Sequence, residues 1–113
     1  MKVKFFKTPA NNEPVREWLK SDSFTAEDRK RIGEDIKTVQ YAWPIGMPLV
    51  EKIEPDLWTV RTRDLSRGIA RTFFTIDGGL MVLLHGIIKK SQKIPQEDLD
   101  LARRRLSQLR GEE

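Results

Sequence analysis

Apolar residues in the first half of the chain recur mainly at the spacing of helices. The segment Val3–Phe6 is a short apolar run and predicts a strand. Asn12 predicts the cap of a first helix with Pro14 in its first turn, and the segment Thr25–Asp28 nearly matches a capping box that starts a second helix. Proline and glycine at 44–48 predict a loop after it. The apolar stripes of the two helices comprise Val15, Trp18, Leu19, Ile32, Ile36, Val39 and Trp43.

From residue 57 the pattern alternates with a period of two, as in a strand. In the segment Leu57–Arg63, Trp58 and Val60 face one way, and Thr59, Arg61 and Arg63 face the other. A turn at 66–68 leads to a second strand, Ile69–Ile76, which places Arg71, Phe73 and Thr75 on one face. These two strands are predicted to pair in antiparallel fashion.

The segment Asp77–Gly79 is a strong hairpin signal, because these residue types tolerate positive φ. The third strand, Leu80–Ile88, is almost entirely apolar and is therefore predicted to be central in the sheet. A last helix opens at Pro95. Its apolar stripe comprises Leu99, Ala102, Leu106 and Leu109.

The predicted order is β-α-α-β-β-β-α, an α+β fold in which two N-terminal helices cover one face of an antiparallel sheet. The other face is expected to be open. A chain of 113 residues suits one domain, so residues 1–113 are interpreted as a single unit. The N-terminus has no apolar signal core and no run is long enough to span a membrane, which favours a cytoplasmic location.

The composition excludes several kinds of chemistry. There is no cysteine and one histidine, so thiol nucleophiles are excluded and a zinc site is very unfavourable. The chain also has no glycine-rich nucleotide-binding motif of the P-loop or dinucleotide type. We therefore predict no metal and no cofactor.

The net charge of +4 is concentrated in one block of the chain. Residues 1–56 carry 10 basic and 10 acidic residues, whereas residues 57–93 carry 7 basic residues against 2 acidic ones. Such an excess in one structural block indicates a surface for a polyanion, although a solvated basic face is the plain alternative. The basic residues of the block are Arg61, Arg63, Arg67, Arg71, Lys89, Lys90 and Lys93.

If the three strands pair as predicted, Arg61, Arg71, Lys89 and Lys90 converge on the open face as candidate catalytic residues. Guanidinium groups bind phosphate in a bidentate way, and a lysine crowded by cations becomes a usable base. This set supports metal-free RNA cleavage, in which the 2′-hydroxyl attacks the adjacent phosphate. Arg63, His85 and Lys93 are predicted to bind RNA.

Each of these residues also has a structural interpretation. Arg61 and Arg63 could be exposed strand residues, and Arg71 could pair with Asp64 or Asp77 across a turn. His85 could be a hydrogen-bonded, half-buried histidine, and the three tryptophans have core-facing spacing. The arginines of the last helix could form a solvated face; they are Arg103, Arg104, Arg105 and Arg110.

Several segments together resemble the phage-derived HigB-like toxins of the RelE/ParE toxin–antitoxin superfamily. They are Leu57–Arg61, Arg71–Phe74, Val82–Lys93, Pro95 and Leu101–Leu106. The resemblance implies a fold of helices against an antiparallel sheet and an endonuclease that cleaves mRNA on translating ribosomes. It also implies a helix-turn-helix antitoxin as partner, with which the chain forms a hetero-oligomer. By position, Arg61, Arg71, Lys89 and Lys90 match the basic active-site positions of those toxins.

The chain departs from these relatives at several positions. Thr59 stands where they often have Glu, Ile87 replaces a common Phe, and no Tyr or His follows Lys90. Ile94 replaces a common Thr before the last helix, which removes an N-cap worth about 1 kcal/mol. The general base therefore stays open among Lys89, Lys90 and His85. A gyrase-inhibiting toxin of the ParE type and a non-catalytic RNA- or partner-binding module are the alternatives.

Overall fold

The computed structural model describes residues 1–111, which contain five strands and three helices in the order β-α-α-β-β-β-β-α. The strands are β1 (Lys2–Phe5), β2 (Val50–Glu54), β3 (Leu57–Leu65), β4 (Gly68–Asp77) and β5 (Leu80–Lys89). The helices are α1 (Pro14–Lys20), α2 (Ala26–Ala42) and α3 (Gln96–Arg110). The predicted α+β class is confirmed. No helix within residues 1–111 combines the length and the apolar character needed to cross a membrane.

Side chains cap α2 as predicted, whereas α1 begins differently. The Thr25 hydroxyl accepts a hydrogen bond from the Asp28 backbone N–H at 3.0 Å, and the Asp28 carboxylate accepts one from the Thr25 N–H at 3.2 Å. The cap of α1 is Glu13, which makes no side-chain cap bond, so the prediction for Asn12 was wrong. The Asn12 N–H instead donates to the hydroxyl of Thr8 at 3.1 Å in the preceding turn.

The sheet has the order β1-β5-β4-β3-β2. Strands β3, β4 and β5 form the predicted antiparallel meander, and Gly78 and Gly79 have positive φ in the two-residue turn between β4 and β5. Strand β1 pairs with β5 in parallel, so the sheet is mixed rather than purely antiparallel. The central strands of the sheet are therefore β5, β4 and β3.

Strand β2 was not predicted. It is short and charged, it lies at the edge of the sheet, and a bulge between Lys52 and Glu54 interrupts its alternation. Edge strands are held mainly by main-chain hydrogen bonds, which leave little apolar pattern in the sequence. Its pairing places Glu51 directly opposite Thr59 of β3.

Helices α1 and α2 cover one face of the sheet, as predicted. The rings of Trp43, Trp58 and Phe74 pack together there, with centroids 5.0 to 5.8 Å apart. Trp18 lies on Gly86 so closely that a Cβ at position 86 would come within 2.2 Å of the indole. The prediction that the three tryptophans serve the core is confirmed.

The opposite face is not open, because α3 packs on part of it. The stripe formed by Leu99, Ala102, Leu106 and Leu109 needs an apolar partner and finds one on the sheet. Residues of the sheet buried in this cluster are Leu57, Phe73, Val82, Leu84 and Ile87. The α3 face therefore has an apolar part under the helix and a polar part beside it.

Three arginines of α3 are engaged rather than free on a solvated face. Arg103 donates to the Glu54 carboxylate at 2.7 Å, and Arg110 donates to Asp56 at 3.2 Å. Arg105 donates to the backbone carbonyl of Leu84 at 2.8 Å. These contacts hold α3 against the β2–β3 turn and against β5.

Candidate active site

Two arginines of the basic block face each other across neighbouring strands. Arg61 of β3 and Arg71 of β4 are register partners, and alternation places both side chains on the α3 face. The backbone N–H of Arg61 donates to the Leu49 carbonyl at 2.8 Å and so points away from β4. The two arginines therefore form a non-hydrogen-bonded pair, the type in which Cα atoms are only about 4.5 Å apart.

Arg71 is buried without a carboxylate partner. Its exposed fraction is 1%, and one Nη donates to the Gln92 carbonyl at 3.2 Å. Its Nε and other Nη have no hydrogen-bond partner, and the Nε of Arg61 is likewise buried and unpartnered. Neither guanidinium forms an ion pair within the described part of the chain, so the structural interpretation of Arg71 as the partner of Asp64 or Asp77 was wrong.

The electrostatics of the pair favour an added anion. Burial lowers the pKa of Arg71, the neighbouring charge of Arg61 lowers it further, and the carboxylate of Glu51 opposes both effects. A buried guanidinium stays charged even so, because the unperturbed pKa of arginine lies far above neutral pH. Two like charges with free N–H donors would gain from a phosphate that bridges them.

The surrounding cations lie at one end of the same face. Lys89 of β5 is the register partner of Ile69, two positions along β4 from Arg71, so it belongs to the Arg71 side of the sheet. Lys90 and Lys93 are exposed in the segment that follows β5, and Arg63 is exposed near the end of β3. The strand pairing therefore brings the predicted basic residues to one end of the sheet, with Arg61 and Arg71 at the centre.

His85 lies on the same face but is held by α3. Its Nε2 is 2.8 Å from the Asp98 carboxylate, and its Nδ1 is 3.4 Å from an Nη of Arg105. Burial lowers the pKa of His85, while the hydrogen bond to Asp98 opposes that effect. The partners fit a neutral ring that donates from Nε2 and accepts at Nδ1. The interpretation of His85 as a hydrogen-bonded, half-buried histidine is confirmed, and its contact with RNA stays a prediction.

Glu51 is the residue at this site that sequence reasoning missed. Register with Thr59 places its side chain on the same face as Arg61 and Arg71, because Thr59 and Arg61 are two residues apart on β3. The signal that could have revealed it is the alternation of apolar and polar residues that starts at Val50. The bulge at Lys52–Glu54 interrupts this alternation and hides the strand. A carboxylate thus lies on the same face as Arg61 and the buried Arg71.

The fold is that of a small α+β protein in which Arg71 is buried beside the partly exposed Arg61 on one face of the sheet. The chain matches the model of the family "Phage derived protein Gp49-like (DUF891)" over residues 17–107 and belongs to that family. This is a toxin–antitoxin-associated family of RelE/HigB-like kind. A search of curated proteins finds no match. The matched range includes Arg61, Arg71, Lys89 and Lys90.

Proposed function

We propose that this chain is the toxin of a toxin–antitoxin pair and that it cleaves mRNA on the ribosome without a metal ion. The observation that carries the proposal is the arginine pair, in which Arg71 is buried, charged and without a carboxylate. Burying such a group costs several kcal/mol unless a partner compensates. A phosphodiester of RNA would be that partner.

The reaction uses the positions of the cations. The guanidinium groups of Arg61 and Arg71 hold the non-bridging oxygens of the phosphate. The 2′-hydroxyl loses its proton and its oxygen attacks the phosphorus, and the bond from phosphorus to the 5′-oxygen breaks. The products are a 2′,3′-cyclic phosphate and a 5′-hydroxyl, the leaving oxygen taking its proton from the ammonium of Lys89 or Lys90. The pentavalent state carries one more negative charge than the diester, so the arginines stabilise it more strongly.

The remaining cations would guide the RNA. Arg63 and Lys93 are exposed near the pair and can contact neighbouring phosphates, which makes binding salt-dependent. His85 is proposed to contact RNA only at its edge, because α3 occupies both of its ring nitrogens. The partner that neutralises the toxin is proposed to be a helix-turn-helix antitoxin in the cytoplasm.

Induction of the chain in growing bacteria, followed by mapping of RNA 3′ ends, tests this function. We expect growth arrest and new ends within translated codons, bearing 2′,3′-cyclic phosphate. Arg61→Ala should reduce both effects at least 100-fold, because it removes a phosphate ligand from the pair. Arg103→Ala is the matched control, since that arginine belongs to α3 and should leave cleavage unchanged.

A different result would point to another target. Growth arrest without new RNA ends, unaffected by alanine at Arg61, would contradict the proposal. Loss of DNA supercoiling by purified gyrase would then indicate inhibition of that enzyme. Ribosome binding without cleavage would indicate a binding module.

A further inference from the structure

The geometry points to Glu51 as the general base that accepts the proton of the attacking 2′-hydroxyl. This inference rests on the proposed function and assigns a role in the same site that the basic residues leave unfilled. In the reaction, one carboxylate oxygen of Glu51 takes the proton as the 2′-oxygen forms its bond to phosphorus. The carboxylic acid then returns that proton to solvent.

Strand register places Glu51 next to the arginine pair. Glu51 and Thr59 are register partners on β2 and β3, and Arg61 lies two residues beyond Thr59 on the same face. The carboxylate is close enough to Arg71, two strands away, to raise the pKa of that guanidinium against the effects of burial and of Arg61. A phosphate held between Arg61 and Arg71 would therefore have a carboxylate on the β2 side.

The carboxylate of Glu51 has no bonding partner among the described residues. The side chain is half-buried, and within residues 1–111 it makes no ion pair and no side-chain hydrogen bond. By contrast, the carboxylate of Glu54, on the same strand, is bound to Arg103 at 2.7 Å. The oxygens of a carboxylate without a partner are available to accept a proton.

The other candidates are less suited to accept a proton. Guanidinium groups have no acceptor, and a lysine ammonium has three donors and no acceptor. His85 has a partner at each ring nitrogen, namely Asp98 and Arg105. Asp98 is itself engaged with His85. Glu51 is thus an unpaired carboxylate on the same face of the sheet as the arginine pair.

The surface of the site also fits this direction of approach. Arg71 and Thr59 are fully buried, whereas Glu51 and Arg61 are partly exposed at the side of β2. RNA bound on this side would meet Glu51 and Arg61 at the surface, with Arg71 beneath them. A ribose beside the bound phosphate would then lie near the carboxylate.

Single-turnover cleavage of ribosome-bound mRNA by Glu51→Gln tests the assignment. The amide has the same shape but cannot accept the proton, so we expect the cleavage rate to fall at least 100-fold, in the range of general-base catalysis. Affinity for the programmed ribosome should be unchanged or higher, because one negative charge near the phosphate is removed. Glu54→Gln is the matched control on the same strand and should cleave at the wild-type rate.

The outcomes separate a base from a structural carboxylate. If Glu51→Gln cleaves within threefold of the wild-type rate, the assignment is wrong while the proposed function stands. If the wild-type chain itself does not cleave, both are wrong. If Glu51→Gln does not fold, Glu51→Asp is tested in its place. Aspartate keeps the negative charge but moves it back by one methylene. For Glu51→Asp, a cleavage rate between those of the wild type and an inactive variant, with wild-type affinity, supports Glu51 as the general base. A full wild-type rate contradicts that assignment.

Discussion

The two faces of the sheet bury side chains of different kinds. Under α1 and α2 the sheet presents Trp58, Val60, Phe74 and Leu83, which form an apolar cluster with the helices. Under and beside α3 it presents apolar residues together with Arg71, whose guanidinium is buried and incompletely bonded. Both faces contain buried threonine hydroxyls, but the α3 face alone buries a guanidinium among the described residues.

Under the proposed function, one face stabilises the fold and the other binds the RNA phosphate. Apolar burial contributes about 25 cal/mol per Å², whereas an unpaired buried charge opposes folding. Under the proposed function, the buried charge of Arg71 lowers stability and binds a phosphate. Substitutions on the two faces should therefore separate stability from activity.

The largest expected loss of stability comes from the α1/α2 face. Phe74→Ala removes a ring that is fully buried and packed between Trp43 and Trp58. The free energy of unfolding should fall by about 3–5 kcal/mol. Urea denaturation followed by tryptophan fluorescence measures it. A loss below about 1 kcal/mol would contradict the view that this face supplies the main core.

A smaller loss is expected where α1 meets β5. Gly86→Ala places a Cβ within 2.2 Å of the Trp18 ring, so the helix or the strand must shift. Overpacking of this kind costs about 1–3 kcal/mol. Thermal unfolding of this variant is compared with that of Gly33→Ala. The second variant is the control, because a Cβ at Gly33 meets nothing within 4 Å. Equal losses in both variants would contradict the packing argument.

The α3 face should contribute a pH dependence of stability near neutral pH through His85. Burial lowers the folded-state pKa of His85 below its unfolded value of about 6.5. The unfolded chain therefore binds the proton more readily, and this contribution to stability is full above about pH 6.5 and declines as the pH falls below it. His85→Gln should flatten that part of the curve. Unfolding free energies of both proteins from pH 5 to 8 test it, and parallel curves would contradict it.

The smallest effect is expected at the outer side of α3. Arg103→Ala removes a partly exposed ion pair with Glu54, and such pairs contribute about 0.2–1 kcal/mol. The loss should shrink further in 1 M NaCl, where the charges are screened. Chemical denaturation at low and high salt measures both values. A loss above 2 kcal/mol would mean that this pair anchors the helix more strongly than its exposure suggests.

Local signals in the sequence predicted the parts of the fold that local chemistry determines. The capping box at Thr25 and Asp28 and the glycine turn at Gly78 and Gly79 were correct. Alternation on β3 and β4 also placed Arg61 and Arg71 on one face correctly. These features depend on neighbours in sequence.

The remaining features depend on contacts between distant segments. Strand β1 pairs in parallel with β5, and the paired residues Lys2 and Leu80 are 78 positions apart in the chain. No local pattern specifies that partner. The bulge in β2 hid both the strand and Glu51. The apolar stripe of α3 was predicted, but which sheet face it covers was not, because either face offered apolar residues.

The most direct test of the central claim is Arg71→Met, assayed for unfolding and for mRNA cleavage in the same preparation. Methionine fills a similar volume without the charge, so stability should be unchanged or higher by up to about 4 kcal/mol. Cleavage should be lost at least 100-fold, because the phosphate loses its buried ligand. A variant that cleaves at the wild-type rate would contradict the account, and so would one destabilised by several kcal/mol, since Arg71 would then be a structural residue.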